Sequence, residues 1–126
     1  METVMAETVQ DTKALIYSCS GCSNIAQLAN KVAIELDREE KAEMSCIAGV
    51  GGGVPNLVKK AKSGRPIVAL DGCQLHCVQN CLRNQGIEAN KAYTLTNYGI
   101  KKQYHMDVLD DDVQRIKAIV LEELPA

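Results

Sequence analysis

The chain has 126 residues, enough for one ordinary domain with a core of its own. Hydrophobic residues make up 46% and charged residues 24%, a globular balance; with aromatics at 3% and no Trp or Phe, the core must be built from Val, Ile, Leu, Ala and Met. The formal net charge is -2 and no basic block appears, which argues against nucleic acid as a partner, and no apolar run approaches the roughly 18 residues of a membrane span.

Residues 1–12 are acidic and polar without a period, and read as a loose arm rather than a signal or transit segment. The domain is expected over 13–126. Lys13 to Tyr17 is a short apolar run, read as a buried strand. A turn-rich segment, Ser18 to Ser23, carries Cys19-Ser-Gly-Cys22. Ile25, Leu28, Ala29, Val32 and Leu36 then recur at helical spacing, with Ser23 or Asn24 as N-cap and an end in Asp37–Lys41. Glu43 to Ala48 is a second strand candidate that carries Cys46. Gly49-Val-Gly-Gly-Gly53 follows, and Pro55 suits the first position of a short helix that Gly64 would close. Pro66 to Leu70 is the strongest strand, running into Asp71-Gly72-Cys73. A helix is expected from about Gln74 to Asn84, closed by Gly86, and a fourth strand over Ala92 to Thr96. Asn97 to Asp107 shows no readable pattern. Asp110 to Asp112 favour a final helix start, with Val113, Ile116, Val120 and Leu124 as its buried stripe.

Strands alternating with helices predict a single three-layer α/β domain: an open, mainly parallel sheet of about four strands, with helices on both faces, Rossmann-like or flavodoxin-like. Ligands bind beyond the carboxyl ends of strands in such sheets. Cys19 and Cys22 follow the first strand, Cys46 ends the second, and Cys73 follows the third. All are therefore expected at one edge. The chain reads as cytoplasmic, and clustered cysteines there mean metal or redox chemistry more often than disulfides.

A Cys-x-x-Cys turn presents two sulfurs to one ion and is common in zinc sites. The helix N-terminus that follows favours thiolate over thiol, which serves metal binding and disulfide exchange equally. Cys73, Cys77 and Cys81 recur every four residues, a rise of about 6 Å each if helical. Neighbours can share an ion with sulfur bonds near 2.3 Å; the outer two, roughly 12 Å apart, cannot. A single site would use Cys19, Cys22, Cys73 and Cys77 with Cys46 nearby, leaving Cys81 to packing or reserve. Six bound thiolates would suit a second ion or a cluster. Asp71 is read as orienting the turn ahead of ligating. His76 points off the cysteine stripe and reads as exposed, and His105 is unassigned. The glycine run lacks a P-loop Lys-Ser/Thr and reads as a close-packed turn ahead of an anion cradle.

Asp71-Gly72-Cys73 followed by Cys77, with Cys19-x-x-Cys22 upstream and Cys46-Ile-Ala-Gly49-Val-Gly between, resembles the DGC-domain family, to which zinc binding is attributed. The resemblance covers about residues 13 to 121. It implies a small cytosolic metal-binding protein with Cys19, Cys22, Cys46, Cys73 and Cys77 as metal residues and Zn2+ as the metal. Two other readings stay open. An iron–sulfur cluster suits extra thiols, although the spacings match neither common ferredoxin pattern. A thiol-disulfide oxidoreductase suits strand, Cys19-x-x-Cys22, helix, although that scheme has no place for a second cysteine cluster. No acid–base pair or Ser-His-Asp set can be assembled, so catalytic residues, substrate and protein partner are not named.

Overall fold

A computed structural model describes residues 13–125. The expectation for residues 1–12 lies outside them. Four strands, β1 (Leu15–Ser18), β2 (Glu43–Met44), β3 (Ile67–Asp71) and β4 (Lys91–Thr94), form one sheet in the order β2-β1-β3-β4. Every pairing is parallel, with Ile16 beside Met44 and Val68, and Ala69 beside Ala92. Five helices accompany it: α1 (Asn24–Arg38), α2 (Ile47–Gly51), α3 (Pro55–Ala61), α4 (Cys77–Asn84) and α5 (Asp110–Glu122). A single α/β domain with helices on both faces is what the sequence predicts.

The side-chain alternation of β1 and β3 builds the layers. Ile16, Val68 and Leu70 face a core shared with Leu28, Val32 and Leu36 of α1 and Val113, Ile116 and Val120 of α5. Leu15, Tyr17, Ile67 and Ala69 face the opposite core, with Val50 of α2, Ala61 of α3, and Val78 and Leu82 of α4. β1 and β3 are buried along their whole length, which explains their unbroken apolar sequences. Each fully buried Leu or Ile contributes about 1.5–3 kcal/mol, so these two faces supply the domain's main driving force.

Several boundaries move. The first strand runs to Ser18 rather than Tyr17. The second ends at Met44, because Cys46 caps a helix instead of extending the strand: its Sγ accepts from the N–H of Gly49 at 3.4 Å. Gly49 and Gly51 let that helix pack closely. A Cβ at Gly49 would stand 2.0 Å from Leu57 Cδ1, and one at Gly51 would stand 2.6 Å from Cys81 Sγ. The glycine run is thus a close-packed element, as read, but a helix and its end rather than a loop before one. The helix expected from Gln74 begins only at Cys77. His76 at its start is left-handed, with φ 52 and ψ 47, which breaks any helical path through Cys73. The fourth strand ends at Thr94 and gives way to a 3-10 turn over Leu95–Tyr98. Leu124 lies just past α5 but still packs on the core. Ser23 is the N-cap of α1, accepting from the N–H of Ala26 at 3.2 Å, and Pro55 opens α3. No helix among the described residues is long and apolar enough to cross a membrane.

Candidate functional site

The strand order places the site. In a β2-β1-β3-β4 sheet the chain leaves β1 in one direction and β3 in the other, so the loops after these two adjacent strands part and leave a crevice between them. The loop after β1 carries Cys19 and Cys22. The loop after β3 carries Cys73 and ends at Cys77. These four cysteines line one hollow of about 170 Å3, together with Ile25, Leu75, Lys102 and Tyr104 among others.

Each residue of Asp71-Gly72-Cys73 has a distinct task. Asp71 is 1% exposed. It accepts from the backbone N–H of Val78 at 2.7 Å and of Gln79 at 3.3 Å, and from the Gln79 side chain at 3.0 Å. The end of the strand thereby caps the first turn of α4, whose N–H groups have no partner within the helix. Asp71 is a turn-maker, the reading ranked first from the sequence. Gly72 lies against the start of α1: a Cβ there would stand 2.9 Å from the carbonyl carbon and oxygen of Ile25. Its N–H donates to Cys19 Sγ at 3.2 Å and its carbonyl accepts from Thr96 N–H at 3.1 Å. Cys73 then turns into the hollow, half-buried, and receives the Lys102 ammonium at 3.5 Å.

Electrostatics differ among the thiols. Burial pushes the Cys19 thiol up, against the Gly72 N–H that favours its thiolate, and the charges of Asp71, Cys77 and Cys73 push the same way as burial. Cys22 and Cys77 are exposed at the rim. Lys102 is held up by its hydrogen bonds to Tyr104 and then to Cys73, so its ammonium keeps its charge beside the sulfur. Its Nζ also lies 5.3 Å from the centroid of the Tyr104 ring.

The remaining sequence candidates fall elsewhere. Cys46 is exposed at the end of β2, on the far side of β1, and does not line the hollow. A buried-hydrophobe role does not describe it. Cys81 is half-buried against Gly51, and burial, then Cys77 and Asp71, push its thiol up. With Cys73 outside α4, the four-residue spacing has helical meaning for Cys77 and Cys81 alone. His76 is half-buried rather than exposed, with Nε2 3.0 Å from Thr94 Oγ1. His105 is exposed and does not line the hollow.

The wall that sequence reasoning missed is the strap 101–104. Asn24 clamps it: its side chain donates to the Lys101 carbonyl at 3.0 Å and accepts from Gln103 N–H at 2.7 Å, while its own N–H donates to the Gln103 carbonyl at 3.0 Å. An antiparallel bridge joins Ser23 to Tyr104. The strap has no periodicity because it is held by these bonds to Ser23 and Asn24 and not by a buried face.

The donor set suits a soft metal ion. Four sulfurs line the hollow and no Asp or Glu does so, a chemistry that favours zinc or iron–sulfur over magnesium or calcium. In the arrangement described, no three His, Cys, Asp or Glu side chains among the described residues are placed to hold an ion.

The DGC domain matches residues 15–120, from the first strand to the last helix. The chain belongs to the DGC-domain family. It is 56% identical over 106 residues to a Pseudomonas aeruginosa protein named anaerobic and virulence modulator AnvM, covering 84% of this chain and 81% of that one. No solved structure matches significantly.

Proposed function

We propose that this DGC-domain protein is a cytosolic metal-binding protein with a regulatory role, holding zinc through Cys19, Cys22, Cys73 and Cys77. The observation that carries the reading is the convergence of these four thiols on one hollow at the fork between β1 and β3. The family resemblance adds Cys46, which stands at the neighbouring strand end. Bound zinc would supply a cross-link between the two loops. The chain's own groups prepare for it: Gly72 N–H donates to Cys19 Sγ, Lys102 offsets negative charge at Cys73, and Asp71 holds Cys77 at the start of a helix.

A site closed by four cysteines is ordinarily structural. Here both cores are built from buried apolar side chains, with Cys19 and Cys73 only packed against them at the edge, so the fold has no evident need of a metal staple. That, and the modulator name of the P. aeruginosa relative, support a regulatory use of the site.

The test is metal analysis of anaerobically purified protein, with thiol titration before and after chelation. One zinc per chain, and at least four thiols that react only after chelation, is the expected result. Metal-free protein that takes up no zinc, with six freely reactive thiols, overturns it. A brown protein with visible absorption would replace zinc by an iron–sulfur cluster.

A further inference from the structure

The hollow holds more than sulfur. Lys102 is its one charged lining residue among those described, and no carboxylate lines the hollow beside it. The ammonium has three donors; one is directed to Cys73 and one to Tyr104, which leaves a third. Around it stand apolar surfaces, Leu75 66% exposed, Tyr104 58% exposed, and Ile25 beneath. The volume of about 170 Å3 falls well below the roughly 300–1,000 Å3 of sites for drug-sized ligands. The hollow thus sets a cation, on a strap clamped by Asn24, beside a small apolar recess.

We propose that the hollow binds a small organic anion, with its charge on Lys102 and its short carbon part between Leu75 and Tyr104, next to the thiols. This deepens the metal reading and rests on the same hollow, but it assigns Lys102 a ligand of its own. A lysine already neutralised by a neighbouring thiolate would give an anion little advantage over a neutral molecule of the same shape.

Two alkylating reagents make that distinction. Iodoacetate and iodoacetamide carry the same carbon to sulfur: the thiolate forms the S–C bond and iodide leaves. They differ in a carboxylate against a carboxamide. On chelator-stripped full-length protein, rates with each reagent are measured at each cysteine by mass spectrometry. The ratio of the two rates is divided by the same ratio in urea-unfolded chain. Because both rates are read at one sulfur, its degree of ionisation cancels. Cys46, exposed and outside the hollow, is the internal reference.

The ratio favouring iodoacetate at Cys73 and Cys22 is expected to exceed that at Cys46 by about fivefold, the attraction of one charge at contact distance in water. Lys102→Gln should bring it to the Cys46 level, and Lys102→Arg should keep it. It should also collapse near 1 M salt, where the Debye length is about 3 Å. Equal ratios in the wild type and Lys102→Gln, or an equal rise at Cys46, would overturn the proposal. Zinc uptake is read separately, so failure of the metal reading leaves this ratio intact, and a flat ratio leaves the zinc result intact.

Discussion

The backbone N–H of Gly72 donates to Cys19 Sγ at 3.2 Å, joining the loop after β3 to the loop after β1 across 53 residues of sequence. It explains why glycine stands between the aspartate and the cysteine. Only a residue without a Cβ brings its N–H this close while touching the backbone of α1. Gly72→Ala would force a Cβ to within 2.9 Å of Ile25. Backbone cannot swing aside as a side chain does, so we expect a loss of about 1–3 kcal/mol in urea unfolding. Zinc retention should fall with it.

Asp71 contributes by acceptance rather than ligation. Asp71→Ala leaves the N–H groups of Val78 and Gln79 without their acceptor in a buried position, at a cost of about 2–3 kcal/mol. Asp71→Asn keeps one carbonyl oxygen and should lose less. Urea midpoints of the two variants check the order.

The cysteines should divide into two classes. Cys22→Ser and Cys73→Ser are expected to abolish stoichiometric zinc, while Cys81→Ala keeps it, because Cys81 packs on Gly51 and does not line the hollow. Metal-to-protein ratios of the purified variants decide this. In chelated protein, Cys19 should alkylate more slowly than the exposed Cys22 and catch up as pH rises, since burial pushes its thiol up.

Acid stability has an identifiable contributor at the far end of the sheet. Burial raises Glu43, but hydrogen bonds from Lys60 and Arg65 outweigh it and leave the carboxyl below its ordinary range. A carboxyl depressed on folding stabilises the native state above its unfolded pKa, and that contribution is lost as pH falls through the folded value. Glu43→Gln should therefore cost about 1 kcal/mol near neutrality and progressively less as pH falls through the folded value. Urea titrations of both proteins over a descending pH series test it.

Much of this could be read from the chain. β1 and β3 are buried on both faces, so their sequences are unbroken apolar runs. Of the four hollow cysteines, Cys19, Cys22 and Cys73 are legible from their places after strands, and Cys77 from its four-residue spacing to Cys73. Two things were not legible. The end of β2 has the apolar residues of a strand, yet Ile47–Gly51 is a helix because Gly49 and Gly51 allow Leu57 and Cys81 against it, a tertiary contact invisible to periodicity. Cys46 was grouped with the others because all strand ends share an edge; which strands are neighbours across the fork depends on their order, which period does not encode. Lys102 was hidden in a segment whose shape comes from Asn24, seventy-nine residues from Gln103 in one of its bonds.

The order β2-β1-β3-β4 has a consequence for how the protein matures. A nascent chain that has made β1 and α1 already carries Cys19 and Cys22, but β1 first finds its β2 edge, and its other edge waits for residues 67–71. Non-local pairing of that kind comes late and slowly. Until then the chain offers half of the hollow and no Lys102. The four-cysteine hollow thus exists only in a finished domain, so its presence is also a record that synthesis and assembly are complete.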